Sequence, residues 1–132
     1  MTLNTKKIEK NNIEIKGLDE IDQIYVNADT DMVYQIIYNL FDNAVKFTNE
    51  GGYIKIGATQ MADFVQVSIK NSGVGINSAE LSRIFERFYK VDKSRSFDTK
   101  GVGLGLYIVK TIINMHEGEI TASSKQGEYT EF

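Results

Sequence analysis

DTDMVYQIIYNLFDNAVKF, residues 29–47, carries a helical period. Val33, Ile36, Ile37, Leu40, Phe41 and Ala44 recur at the spacing of one helix face and form an apolar stripe. Asp29, Thr30 and Asp31 supply capping oxygens and negative charge at its start. Gly51-Gly52 ends it in a turn. Beyond the turn the period changes from helical to alternating. Ile54, Ile56 and Ala58 point one way in a strand over residues 53–60, and Val65, Val67 and Ile69 do so in a second over 64–70. Met61, Ala62 and Asp63 form the hairpin between them.

Upstream, Ile13 and Ile15 alternate with Glu14 and Lys16 as a short strand, and Ile24-Tyr25-Val26 reads as another. Residues 1–11, rich in lysine and asparagine, read as a linker or frayed end. Downstream, Ser78 opens a short helix through Phe85, a longer helix runs from Gly103 to Met115, and Glu119–Ser123 is a further strand. The order predicts an α+β domain over residues 12–132: a two-layer α/β sandwich whose mixed sheet is covered on one face by helices. Residues 91–100 are polar and without period, a long loop of the kind that often serves as a lid.

The 132 residues suffice for one core. No apolar run reaches the roughly 20 residues that cross a bilayer, and no signal peptide opens the chain, so a soluble domain is expected. A net charge of −3 argues against nucleic acid as a partner. There is no cysteine and one histidine, His116, which excludes thiol catalysis and zinc–thiolate or His-rich metal sites. A metal here is expected to bind through oxygen, as magnesium or calcium do.

Three groups of residues carry candidate chemistry. Asn39, Asn43 and Lys46 fall at i, i+4 and i+7 on one face of the long helix. Two amide oxygens and an ammonium there suit a hard cation with its phosphates; a solvated polar face has the same pattern. Asn71-Ser72-Gly73-Val74-Gly75-Ile76 follows a strand, and its glycines permit a sharp turn and close approach to a flat ring, or a turn alone. Gly101-Val102-Gly103-Leu104-Gly105-Leu106 opens a helix, leaving free N–H groups at a positive dipole end. That is an anion site, or glycines that only permit close packing. Between the last two groups, Ile84-Phe85-Glu86-Arg87-Phe88-Tyr89-Lys90 interleaves aromatic and basic residues. The acidic overall charge favours core anchors beside phosphate-binding cations over a nucleic-acid face.

In this order, the segments resemble the catalytic and ATP-binding domain of bacterial sensor histidine kinases. Those domains belong to the GHKL, or Bergerat-fold, superfamily shared with DNA gyrase, a heat-shock chaperone family and the MutL mismatch-repair proteins. Residues 35–48 look like the family's N box, 71–76 and 101–106 like its two glycine boxes, and 84–92 like its F box. The resemblance implies that Asn43 holds Mg2+, that Asn39 supports the ATP phosphates and that Lys46 binds them. Phe47 would pack near adenine and ribose, Asn71 would read the adenine amino group, and Gly73, Gly75 and Ile76 would line the base pocket. Arg87 or Lys90 would reach the phosphates, residues 91–100 would be the ATP lid, and Gly101, Gly103, Leu104, Gly105 and Leu106 would lie along the phosphate chain. Thr130 would support the base.

The implied activity is transfer of the γ-phosphate of Mg-ATP to a histidine on a separate dimerisation and phosphoacceptor domain, with a response regulator downstream. The setting would be the cytoplasmic portion of a membrane-anchored sensor, and the isolated chain would be monomeric. His116-Glu117-Gly118 lacks the acceptor's Ser/Thr-His-Glu pattern, so a structural role and no self-phosphorylation are expected. The sequence departs from the family at Asn71, where aspartate is usual, and at Tyr129, where glycine is common; it ends at Phe132. A neutral amide is a weaker acceptor than a carboxylate, and its NH2 also suits a guanine carbonyl, which leaves base selection open. Two alternatives accordingly stand beside the kinase: a degenerate nucleotide-binding signalling module, and an anti-sigma-type serine kinase of the same superfamily.

Overall fold

The periodic stretch forms helix α2, Thr30–Phe47, in a computed structural model that describes residues 2–21, 23–86 and 105–132. Its start is fixed by Asp29, whose carboxylate accepts from the Met32 N–H at 3.0 Å. At its end Lys46 complements the dipole, and both the N–H and the hydroxyl of Thr48 donate to the Ala44 carbonyl. Leu40, Phe41, Ala44 and Val45 are its buried residues.

Strands β2 (Tyr53–Gln60) and β3 (Val65–Ser72) pair antiparallel from Ile54↔Asn71 to Gln60↔Val65. The Met61 N–H donates to the Phe64 carbonyl at 2.8 Å and closes the loop between them. Helix α1 (Thr2–Lys10) and strand β1 (Glu14–Lys16) precede α2. After β3 come α3 (Ser78–Leu81), α4 (Gly105–Met115), β4 (Ser123–Lys125) and β5 (Tyr129–Glu131). The sheet order is β1-β2-β3-β5-β4, with β1 parallel to β2 and the other neighbours antiparallel. This is the mixed, α+β arrangement expected from the element order.

The core lies between one face of that sheet and the helices. Ile54 and Ile69 from the sheet, Val45 from α2 and Val109 from α4 are fully buried. Ile13, Leu40, Phe41 and Ala44 complete the cluster, and Ile36, Ile56 and Leu106 pack against it. Among the described residues no helix is long and apolar enough to cross a membrane.

Four expectations change, the first being that the short helix opened by Ser78 ends at Leu81, with turns rather than helix over residues 82–85. Residues 2–10 form a helix, and Ile8 packs against the core, which ties down the polar opening of the chain. Ile24-Tyr25-Val26 is not a strand. After β1 the chain turns through Gly17 into a single 3-10 turn at Leu18–Glu20, and Tyr25 and Val26 remain 76% and 60% exposed. A three-residue apolar run that meets no second layer gains too little burial to hold a strand. Finally, the strand expected at Glu119–Ser123 lies later, in β4. Glu117 takes a left-handed conformation (φ 59°) and the Gly118 N–H returns to Ile113 O, ending α4. Pairing begins only at Ser123, where β5 supplies Glu131 as partner.

Candidate functional site

Register brings the second candidate group into place. Asn71 lies opposite Ile54 on β2 and opposite Thr130 on β5, and Thr130 lies opposite Ser124 on β4. These four therefore form one row across the core-facing side of the sheet. Asn71 and Thr130 are 4% and 7% exposed, unusually buried for polar side chains. The Asn71 Nδ2 donates to the Ser72 carbonyl at 2.9 Å. Its Oδ1 has no hydrogen-bond partner among the described residues, and a buried acceptor left so costs about 1–3 kcal/mol. The amide is thus oriented by its bond to its own strand, with its acceptor left over.

The loop after Asn71 is fastened at both ends. Thr48, just past α2, forms an antiparallel bridge with Gly73. A Cβ on Gly73 would stand 2.4 Å from the Phe47 carbonyl oxygen, so only glycine allows this approach. Gly75 has φ 75°, and a Cβ there would come within 2.7 Å of the Lys125 carbonyl oxygen. The Ile76 N–H donates to Ser124 Oγ at 2.8 Å, and that hydroxyl donates to the Tyr129 carbonyl at 2.7 Å and lies 3.1 Å from Thr130 Oγ1. Asn71, Gly73, Gly75, Ile76 and Thr130 are thereby joined to the β4–β5 hairpin and to the end of α2, where Phe47 is 42% exposed.

On α2, Asn39 and Asn43 are half-buried, and neither side chain has a hydrogen-bond partner among the described residues. Lys46 is exposed and pairs with Asp42 at 3.3 Å. Being largely solvated, that pair contributes little to stability and is readily exchanged. Gly105 opens α4, while the Leu106 side chain packs against the core, so its contact with a ligand would run through the backbone. Arg87, Lys90, Gly101, Gly103, Leu104 and the loop over residues 91–100 lie outside the described residues.

Sequence reasoning missed Thr48 and Ser124. Thr48 follows a helix and reads as a cap, and Ser124 fell outside the strand assigned to 119–123. His116 lies away from these groups. Its Nδ1–H donates to Ile112 O at 2.9 Å and its Nε2 accepts from the Asp29 N–H at 3.4 Å. Those hydrogen bonds tie the end of α4 to the start of α2, a structural role of the kind expected for it.

Comparison with known proteins agrees with this fold. Residues 28–132 match the family model described as histidine kinase-, DNA gyrase B-, and HSP90-like ATPase. The sensor histidine kinase WalK of Bacillus subtilis (strain 168) is 36% identical over 118 residues, covering 88% of this chain and 19% of WalK. The chain thus spans about a fifth of that relative's length. The catalytic domain of histidine kinase ThkA superposes with a TM-score of 0.75 at 32% identity, covering 99% of this chain and 85% of that one. ThkA in complex with the response regulator TrrA gives 0.70 at 29%, covering 99% of this chain and 37% of that one. Full-length ShkA in complex with AMPPNP gives 0.80 at 29%, covering 99% and 27%. The chain belongs to the histidine kinase-, DNA gyrase B-, and HSP90-like ATPase family, and within it to the catalytic domains of sensor histidine kinases.

Proposed function

We propose that this domain binds Mg-ATP with the adenine against Asn71 and Thr130, and donates the γ-phosphate to a histidine on a separate dimerisation and phosphoacceptor domain. The observation that carries the reading is Asn71. One N–H of its amide is bonded to the Ser72 carbonyl, which fixes the amide plane and leaves the buried Oδ1 to accept from a base. An acceptor at that point suits the amino group of adenine and opposes the carbonyl of guanine. The AMPPNP complex of ShkA supports a nucleotide site in this fold.

In the proposed transfer a nitrogen lone pair of the acceptor histidine attacks the γ-phosphorus. The bond from that phosphorus to the bridging oxygen breaks, and ADP leaves with the electron pair. The domain's share is positioning and charge neutralisation. Lys46 would exchange Asp42 for phosphate oxygens, with Arg87 and Lys90 joining it. The amides of Gly103, Leu104 and Gly105 would hold the phosphate chain, with Gly101 and Leu106 flanking them. Asn39 and Asn43 offer half-buried amide oxygens that fit a magnesium ion retaining most of its water, and no cluster of three or more His, Cys, Asp or Glu among the described residues forms an all-protein cage. Bound there, the ion would offset phosphate charge. Asn39, an amide where a carboxylate would be needed to activate water, favours transfer over hydrolysis. The ThkA complex with TrrA supports a response regulator as the downstream partner. The relatives named as sensor kinases support a cytoplasmic catalytic portion of a membrane-anchored receptor.

Isothermal titration with a non-hydrolysable ATP analogue and its GTP counterpart, with and without magnesium, tests the reading. Magnesium-dependent, adenine-selective binding is expected. Binding of neither nucleotide by the folded chain would instead favour a degenerate signalling module.

A further inference from the structure

The sheet face turned away from the helices carries a pattern that nucleotide binding does not use. Lys16 on β1 is directly opposite Lys55 on β2, which is directly opposite Lys70 on β3. Three like charges in register across adjacent strands repel one another and weaken the sheet. Glu131 on β5 stands opposite Lys70 and offsets one end of the row, which leaves Lys55, between two lysines, with the least compensation. Lys16 reaches Glu14 only at 3.9 Å, and Lys55 and Lys70 have no ion-pair partner among the described residues. In a chain of net charge −3, such a row is a local reversal of sign.

Beside it lie Tyr53 and Tyr129, with Ser72 between them: it is opposite Tyr129 in register, and its Oγ accepts from the Tyr53 N–H at 2.8 Å. The Lys16 ammonium lies 4.9 Å from the centroid of the Tyr53 ring, and that of Lys70 lies 4.2 Å from the centroid of Tyr129. Such contacts hold the ammonium groups in place without neutralising them. Lys16, Lys55, Lys70, Tyr53, Gly17 and Glu20 enclose a groove of about 390 Å³.

We propose that this open face docks an acidic segment of a partner protein through Lys16, Lys55 and Lys70. The strand spacing makes the row about 10 Å long. That matches two carboxylates at alternate positions of an extended peptide, roughly 7 Å apart. It is too short to follow a nucleic-acid backbone for more than a nucleotide or two. Glu14, Glu20 and Glu131 around the row disfavour a broad anionic surface such as a membrane, while leaving its centre open to a narrow segment.

The test uses the whole chain and a fluorescent octaglutamate peptide, followed by anisotropy at low and physiological salt. Salt-sensitive binding is expected, falling at least tenfold in K55Q/K70Q and unchanged in K10Q, which removes a lysine from α1. Nucleotide affinity should stay the same in all three proteins, which separates this site from the nucleotide site. The proposal is overturned if the peptide does not bind, if K55Q/K70Q binds it as the parent does, or if an eight-residue oligothymidylate binds more tightly than the peptide. Thermal melts without peptide provide a second readout. K55Q should melt slightly higher than the parent at low salt, and an equal or lower melting point would show that the row is not under repulsion.

Discussion

The two faces of strand β3 are one residue apart in sequence and opposite in chemistry. Ile69 and Asn71 point toward the helices, and Lys70 and Ser72 point away. On the inner side the row Ile54, Asn71, Thr130, Ser124 is closed by packing and hydrogen bonds. On the outer side the row Lys16, Lys55, Lys70 sets like charges side by side. The inner row confers stability and offers an unmet acceptor; the outer row gives up stability and offers unmet donors. In both, the groups suited to ligands are those whose local needs the fold leaves unanswered.

Substitutions on each side sharpen that contrast. Ile69→Ala should cost about 2–5 kcal/mol in chemical denaturation, because the fully buried side chain leaves a cavity between α2, α4 and the sheet. Asn71→Leu should leave the fold standing but lower affinity for an ATP analogue by roughly 10- to 100-fold, the scale of one buried hydrogen bond. Asn71→Asp offers the finer test. A charged acceptor strengthens base recognition, yet the Ser72 carbonyl that now accepts from Nδ2 would face a carboxylate oxygen. A gain of less than about fivefold is expected, with some loss of stability; a much larger gain in titration would mean that the native site is weakened. His116→Ala should cost about 1 kcal/mol, since it removes the hydrogen bonds joining α4 to the start of α2. Lys55→Gln should have the smallest effect, a stabilisation of a few tenths of a kcal/mol at low salt that fades as salt is added.

Legibility in the sequence followed the range of the forces. α2 was readable because its cap, stripe and stop lie within 24 consecutive residues, 29–52. The β2–β3 hairpin was readable because alternation and a short loop are local signals. β4 and β5 were not, since three residues each carry too little pattern and their places are set by partners, Ser123 by Glu131 and Asn71 by Thr130. The residue types of the candidate site were visible as four motifs, but the orientation of Asn71 and the part played by Ser124 depend on contacts across the sheet. The row of lysines was hidden for the same reason: positions 16, 55 and 70 become neighbours only once register is known.

A chain with a single histidine, both of whose ring nitrogens are already hydrogen-bonded within the domain, has a practical use. Under the proposed transfer, acid-labile phosphate on nitrogen in a mixture of this domain with an acceptor protein would be assigned to the other protein without isotopic labelling or mapping. The same imidazole gives one pair of carbon-bound ring-proton resonances in magnetic resonance, so the seam between α2 and α4 carries its own spectroscopic tag. Loss of that packing would register there before any nucleotide had been added.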